Sequence, residues 1–267
     1  MGGSIQEISD MNEPVSIYIP TYQYAEYLPE CLDSVLLQQY EPLDIVVMDD
    51  ASTDNSWEVL TKYQKRDTRI SIYRQSKNQG HGNVIEGVAL TKGKYISILP
   101  ADDKLSPNFW ETILPYFTDK TIGFVRIGAI QFDDFKNKRG SKWDLADWRD
   151  PRDILITNKV FIASPVKREM FEALGGQRWN EVGIYGDWDF WIRAVLAGWK
   201  WKECPEHLYW VRRHSKSISA RRFSELLPGT TEWDNFQAKY EKEIMEFFGT
   251  SAGTYFSFIR KKAGAKF

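Results

Sequence analysis

Two acidic doublets, Asp49-Asp50 and Asp102-Asp103, each follow a short β-branched run, in DIVVMDDAS and KYISILPADD. In an open α/β sheet, ligands bind outside the carboxyl ends of the strands, so both doublets are expected to face one crevice. Four carboxylates gathered there repel one another unless hydrogen-bond donors or a cation sit between them. A base and ribose supply the donors, and a divalent metal carrying phosphates supplies the charge. The spacing therefore predicts a site for a metal-bound nucleotide.

The elements that must position these residues alternate along the first half. Val15 to Ile19, Asp44 to Met48, Arg69 to Tyr73 and Tyr95 to Leu99 read as strands. Between them, Ala25 to Gln39 carries Leu28, Leu32, Val35 and Leu36 at helical spacing. Asp54 or Asn55 offers an N-cap, with Glu58 three after Asn55, for a helix to about Lys65, and His81 to Leu90 is a third helix. Such βαβ alternation predicts a mostly parallel, doubly wound sheet. After a strand at Gly123 to Ile127, the segment Gln131 to Asp153 is charged, aromatic and aperiodic, as expected of a long surface loop or flap. Lys167 to Leu174, Asp187 to Ala197 and Thr231 to Phe248 read as helices, the last with Trp233, Phe236, Tyr240, Ile244 and Phe247 on one apolar face.

With 267 residues, 42% of them hydrophobic and 15% aromatic, the chain can bury a sizeable core. A net charge of −2 argues against a wholesale nucleic-acid binder. Cys31 and Cys204 have no metal-ligand spacing and point to a reducing, cytoplasmic compartment rather than a disulfide scaffold. The opening MGGSIQEISDMNEP has no apolar stretch for a signal peptide, and no run of about 18 apolar residues could span a bilayer.

Two phosphate motifs fail. Gly80-His81-Gly82 starts like a dinucleotide fingerprint, but Ile85 stands at the third glycine position and no glycine-rich turn follows the first strand. Gly87 to Lys94 has five residues rather than four between its glycines, Tyr95 in place of Ser or Thr, and a strand where a P-loop has a helix.

What fits is an ordered series: VSIYIPTYQYAEYLPECLDSVLLQQY, DIVVMDDASTDNSWEVL, Asn78-Gln79-Gly80, YISILPADD, YGDWDFWIRA and YWVRRHSKSIS. From about Val15 to Ser219 the chain resembles the family 2 glycosyltransferases that use nucleotide-diphospho-sugars. The resemblance implies a GT-A fold: an α/β, Rossmann-like, mostly parallel central sheet flanked by helices, with an acceptor-binding C-terminal half. It divides the chain into an N-terminal extension or expression remnant (1–14), a nucleotide-sugar-binding half (15–128), an acceptor-binding and catalytic half (129–220) and a C-terminal helical extension (221–267).

The same resemblance implies roles. Pro20, Thr21 and Tyr22 cradle the nucleoside, Tyr22 offering a face on which a base can stack. Asp50 accepts a hydrogen bond from the base ring N–H, while Asp49 can simply bond backbone at its turn. Asn78 and Gly80 lie near the ribose and phosphates, Gly80 allowing close backbone approach. Asp102 meets the ribose, and Asp103 coordinates a Mg²⁺ or Mn²⁺ bridging the donor's two phosphates, as a hard cation needing one or two carboxylates would. Asp187 is the general base, although similar enzymes carry Glu-Asp where this chain has Gly186-Asp187. It is also placed to cap a helix, and Asp189 to pair with Arg193. Arg212 and Arg213 bind the diphosphate, and His214 completes the metal shell or bonds a phosphate. His81 and His207 are structural.

Eight of the 11 tryptophans lie between Trp143 and Trp210, where Trp143, Trp148 or Trp179 could line an acceptor groove or simply pack the core. The tail TYFSFIRKKAGAKF suits peripheral contact with an anionic membrane bearing a lipid-linked acceptor, or a solvated tail. The expected function is an inverting, metal-dependent transfer from a nucleotide sugar, UDP favoured because Asp50 can pair with uracil N3–H, to a saccharide or lipid-linked hydroxyl. A retaining transferase, a nucleotidyltransferase and a binding module without turnover are the alternatives.

Overall fold

The computed structural model of the chain describes residues 13–80, 83–133, 139–143, 145, 150–215, 217 and 231–251. Among these, strands β1 (Val15–Thr21), β2 (Leu43–Asp49), β3 (Ile70–Arg74), β4 (Tyr95–Ile98), β5 (Lys104–Leu105), β6 (Ile122–Asp133), β7 (Arg139–Trp143), β8 (Val166–Lys167) and β9 (Lys200–Arg213) form one sheet. Its order is β3-β2-β1-β4-β8-β6-β9-β5, with β7 paired to β6. The long ladders are parallel: β1 with β2 and β4, β2 with β3, and β6 with β9. The short pairings of β8, β5 and β7 are antiparallel. The expected α/β architecture is present.

Strands buried on both faces read as apolar runs rather than alternations, which is why IYI and IVVM are so uniformly β-branched or large. Ile17, Ile19, Ile45 and Val47 face one core layer with helices α1 (Leu28–Leu36) and α2 (Ser56–Arg66). Tyr18, Val46, Met48 and Ile96 face the other, with α3 (Asn83–Ala89) and the later helices α5 (Arg168–Ala173) and α7 (Gly186–Leu196). Helix α4 (Phe109–Ile113) follows β5, and α6 (Trp179–Val182) precedes α7. At the start of α2 the capping is done by Asp54, whose Oδ1 accepts from Ser56 N at 3.0 Å, while Asn55 makes no side-chain cap.

Two expectations change. The aperiodic segment Gln131 to Asp153 is no continuous loop: β6 runs on to Asp133, β7 pairs back against it, and Pro151–Leu155 forms a 3-10 turn capped by Asp150. The described strand residues of this segment pair through backbone bonds in β6 and β7, which a polar and aromatic run does not announce as a period. The helix expected over Thr231 to Phe248 breaks into α8 (Thr231–Lys239) and α9 (Glu241–Phe248). At the break, the Tyr240 hydroxyl donates to Asp189 Oδ1 at 2.6 Å.

Asp189 is fully buried and also receives Arg193 Nε at 2.7 Å and Lys239 Nζ at 2.7 Å. Burial pushes its carboxyl up, but the Lys239, Tyr240 and Arg193 donors outweigh burial and hold it below the usual carboxylate range. The Tyr185 and Trp188 rings pack on Trp233 and Phe236 beside it, so the C-terminal helices are fastened onto α7. Asp189→Ala should cost about 3 kcal/mol in denaturant unfolding at pH 7, since it leaves two cations facing an emptied pocket. A depressed carboxyl contributes stability that is present above its unfolded value and lost on acidification, so the gap to the parent should close below about pH 4.

Candidate active site

The strand register brings the expected residues to one edge. Thr21 lies opposite Asp49, Asp50 N donates to Thr21 O at 2.9 Å, and Leu99 N donates to Tyr18 O at 2.8 Å, so β1, β2 and β4 end together. Gln23 and Ala51, just past the ends of β1 and β2, hold left-handed backbones with φ of 57° and 61°. Such conformations are costly outside glycine, and here a lattice of bonds fixes them. Gln23 N donates to Ser52 Oγ at 2.9 Å, Gln23 Nε2 to Thr53 Oγ1 at 2.7 Å, and Asp54 N to Gln23 Oε1 at 3.1 Å.

Around this rim, Tyr22 is 43% exposed, an open aromatic face. Asp49 is a structural turn residue: Oδ1 accepts from Ser52 N at 3.0 Å, and Arg74 Nε stands 3.2 Å from Oδ2 as an ion pair rather than an aligned hydrogen bond. Asp50 Oδ1 accepts from Gln79 N at 2.8 Å, which ties the Asn78-Gln79-Gly80 loop to it. Gly80 takes φ of 62°, and its N–H donates to Asn78 Oδ1 at 2.8 Å. Burial raises the Asp50 carboxyl, partly offset by the Gln79 and Gly80 amides. The Thr21 hydroxyl is buried with no protein partner, a polar atom suited to a ligand.

The second doublet is assembled by β5, which pairs antiparallel with β9 so that Leu105 faces Tyr209 and Lys104 faces Trp210. This register sets Asp103 beside the end of β9. Asp103 is only 4% exposed; Oδ1 accepts from Arg212 N at 2.7 Å and Oδ2 accepts from the Tyr209 hydroxyl. Burial, then the Asp102 charge, push its carboxyl well above the ordinary value. The partly exposed Asp102 instead meets His214, Nε2 lying 2.9 Å from Oδ2. The Tyr27 hydroxyl stands 3.2 Å from His214 Nδ1 on the far side of the ring.

Within both adjacent pairs the two residues sit in different surroundings. Asp103, read as the metal ligand, is a buried clasp whose oxygens are engaged by Tyr209 and Arg212, while Asp102, read as the ribose contact, is the carboxylate beside His214. Arg212, read as a diphosphate ligand, is 8% exposed, donates from Nε to Asp102 O at 2.8 Å and pairs with Glu30. Arg213 is exposed. Glu30 also holds Lys104; although burial pushes its carboxyl up, the two cations hold it down.

Asp187 lies in the first turn of α7, which starts at Gly186 with Tyr185 as its cap residue, so Asp187 is not the N-cap. A Cβ on Gly186 would fall 2.3 Å from Cδ2 of the Trp179 indole, so this position admits no larger residue while Trp179 packs there. Asp187 Oδ1 accepts from Trp188 N at 2.7 Å and Oδ2 from Asn158 Nδ2 at 3.2 Å. Burial pushes its carboxyl up to about 6, against those two donors. Burial, then the charge of Asp103 that its hydroxyl bonds, push the Tyr209 phenol well above its ordinary value, and the charges of Asp102 and Asp187 add to this.

Tyr27, Glu30 and Tyr209 lie within quoted motif segments but received no role there, and Asn158 lies in none; only the long-range contacts bring them in. His207 sits within β9 opposite Gly128, as expected of a structural residue. His81, Trp148 and the tail from Thr254 to Phe267 lie outside the described residues, as does the Trp143 side chain. Cys31 and Cys204 are free and buried. Among the described residues no helix is long and apolar enough to cross a membrane, and no cluster of three metal-ligating side chains occurs.

Comparison with known proteins bears on the family and the fold. Glycosyltransferase GlyG of Streptococcus pneumoniae is 31% identical over 125 residues, 46% of this chain and 42% of that protein. The hyaluronan synthase of Pasteurella multocida is 38% identical over 112 residues, 42% of this chain and 12% of the synthase, so the match takes in less than half of either relative. Among solved structures, TarS of S. aureus superposes with a TM-score of 0.63 at 17% identity over 88% of this chain and 44% of TarS, and its shorter form has been solved with UDP and with UDP-GlcNAc. The mannosyltransferase PcManGT of Pyrobaculum calidifontis, solved with GDP-Man and Mn²⁺, gives 0.61 at 20% identity over 78% of this chain and 59% of its own. The profile of Glycosyl transferase family 2 matches residues 16–174, more than half of the chain, and the protein belongs to that family.

Proposed function

We propose that this protein transfers a sugar from a nucleoside diphosphate sugar, with uridine favoured, to a hydroxyl of a saccharide or lipid-linked acceptor, inverting the anomeric centre. The observation that carries it is Asp187: a carboxylate at the head of α7 that, among the described residues, has no salt-bridge partner, is held by Trp188 N and Asn158 Nδ2, and is pushed up to about 6 by burial.

Tyr22 stacks the base, Asp50 accepts its ring N–H, and the Thr21 hydroxyl bonds the nucleoside. Gly80 and Asn78 approach the ribose and phosphates, and the exposed Arg213 reaches the diphosphate. A carboxylate and an imidazole are a fitting donor set for Mn²⁺, and acceptable for Mg²⁺, when phosphate and water supply the remaining ligands. Asp102 and His214 would hold the ion, with Tyr27 accepting the Nδ1 proton and so fixing the tautomer that frees Nε2. An ion held there would supply positive charge to offset that on the departing diphosphate. Asp187 takes the acceptor hydroxyl proton as that oxygen bonds to the anomeric carbon, and the anomeric C–O bond breaks with its electron pair leaving on the diphosphate. The two free cysteines suit a cytoplasmic setting.

Donor turnover should fall about tenfold per pH unit below about 6, because protonation removes the base, and stay level just above it. Asp187→Asn should lower turnover by about 10² to 10⁴ with the dissociation constant for UDP little changed. A variant with normal turnover would refute the base assignment, and release of pyrophosphate instead of nucleoside diphosphate would mean nucleotidyl transfer.

Thermal-shift titrations test the doublet. Asp102→Asn should leave the ligand-free melting temperature near the parent value and remove the extra UDP stabilisation that Mn²⁺ provides. Asp103→Asn should lower the melting temperature with or without Mn²⁺, because its amide would turn a donor toward Tyr209 or Arg212 N. The opposite pattern would return the metal to Asp103.

A further inference from the structure

Residues 150–160 form a strap against the head of α7 that no motif in the chain announces. Its 3-10 turn at Pro151–Leu155 accepts the Trp188 indole, Nε1 donating to Ile154 O at 2.5 Å. Thr157 N bonds back to Asp153 O at 3.2 Å, and the buried Arg126 donates from Nε to Lys159 O at 3.2 Å, so the strap is held to the turn at one end and to β6 at the other. Between these anchors stands Asn158. Its Oδ1 accepts from Val160 N at 3.2 Å, which fixes the amide so that Nδ2 is the end turned to Asp187. That nitrogen lies 3.2 Å from Asp187 Oδ2.

The strap thus bonds two consecutive residues of α7, Asp187 by a side chain and Trp188 by a backbone carbonyl. Asp187 Oδ1 is held from within its own helix by Trp188 N, a contact that leaves the carboxylate plane free to turn. A second donor on Oδ2 sets that plane.

We propose that Asn158 is the positioning residue for Asp187, its amide fixing the carboxylate so that the remaining lone pair of Oδ2 faces the acceptor hydroxyl. This rests on the reading of Asp187 as the base. The residue type fits the task. A neutral amide orients the carboxylate with one bond, whereas Lys or Arg at the same place would draw its proton affinity down and weaken it as a base. The charged groups on the surrounding elements are engaged elsewhere: Asp153 with Lys159, Asp189 with Arg193 and Lys239, and Glu181 with Arg178 and Lys239. The Tyr209 hydroxyl on β9 also feels the Asp187 charge, and it is committed to Asp103.

The test reads Asp187 directly in the full chain. In protein carrying ¹³C-labelled aspartate carboxyls, the Asp187 resonance is identified by its loss in Asp187→Asn, then titrated in the parent, in Asn158→Ala and in Asn158→Asp. Hydrolysis of UDP-N-acetylglucosamine is followed over the same pH range. Loss of one hydrogen bond to the charged form should move the Asp187 midpoint upward by about one pH unit in Asn158→Ala, with a matching shift of the acid limb. Turnover at pH 7 should fall roughly tenfold with KM for the donor unchanged. Asn158→Asp should move the midpoint further up, since a like charge now faces the carboxylate. Should the alanine variant fail to fold, this near-isosteric aspartate carries the same readout. Midpoint and turnover both equal to the parent in the variants, while Asp187→Asn is inactive, would overturn the inference and leave the base assignment intact. Normal turnover in Asp187→Asn would overturn the base assignment and the positioning role with it, whatever the midpoint does.

Discussion

The site depends on one buried clasp, the carboxyl of Asp103 held between the Tyr209 hydroxyl and the Arg212 backbone amide. It joins the turn after β4 to the end of β9, segments more than a hundred residues apart in the chain. A carboxylate taken out of water beside another negative charge is costly unless it is neutralised or fully hydrogen-bonded. Here its oxygens have donors, and its raised proton affinity eases repulsion with Asp102. Because the clasp takes Asp103 inward, Asp102 is left at the rim. Because it takes the Arg212 amide, His214 two residues on arrives against Asp102, and the Arg212 guanidinium returns to Asp102 O and Glu30.

The same clasp explains which parts of the site were legible. The strands were readable from their β-branched runs, and placing both doublets at the carboxyl edge needed only the parallel order that βαβ alternation implies. Within a doublet, sequence has nothing to separate one aspartate from its neighbour. Adjacent residues near a strand end point to opposite sides, and a register shift of one exchanges them. That register is set by the pairing of Lys104 and Leu105 with Trp210 and Tyr209, a two-residue ladder with no local signature. Arg212 and Arg213 are confounded in the same way, since β9 turns one inward and the other to solvent. The break between α8 and α9 is hidden for a related reason: an amphipathic stripe continues through Tyr240, and only the burial of its hydroxyl against Asp189 marks the bend.

The nucleotide edge is held differently. Gln23 and Ala51 both adopt backbone that costs about 1–3 kcal/mol per residue away from glycine, and they are fastened to each other's loops through Ser52, Thr53 and Asp54. A rim built this way is already shaped before any ligand arrives, so less ordering is charged against binding. Asp50 is likewise pre-set, its position fixed by the loop that carries Gly80.

Asp187, the base under the proposed function, is held in place on more than one side. Its helix is pinned from below by the buried Asp189 network and from the side by the Trp188 indole, so the carboxyl can be desolvated without being free to move. Trp179 fills the space above Gly186, where a glutamate would add a second negative charge next to the base. Such a charge would raise the proton affinity of Asp187 further, whereas an indole excludes water and adds none. With glycine there, burial and two neutral donors set the basicity of Asp187, and the balance falls close to neutral pH.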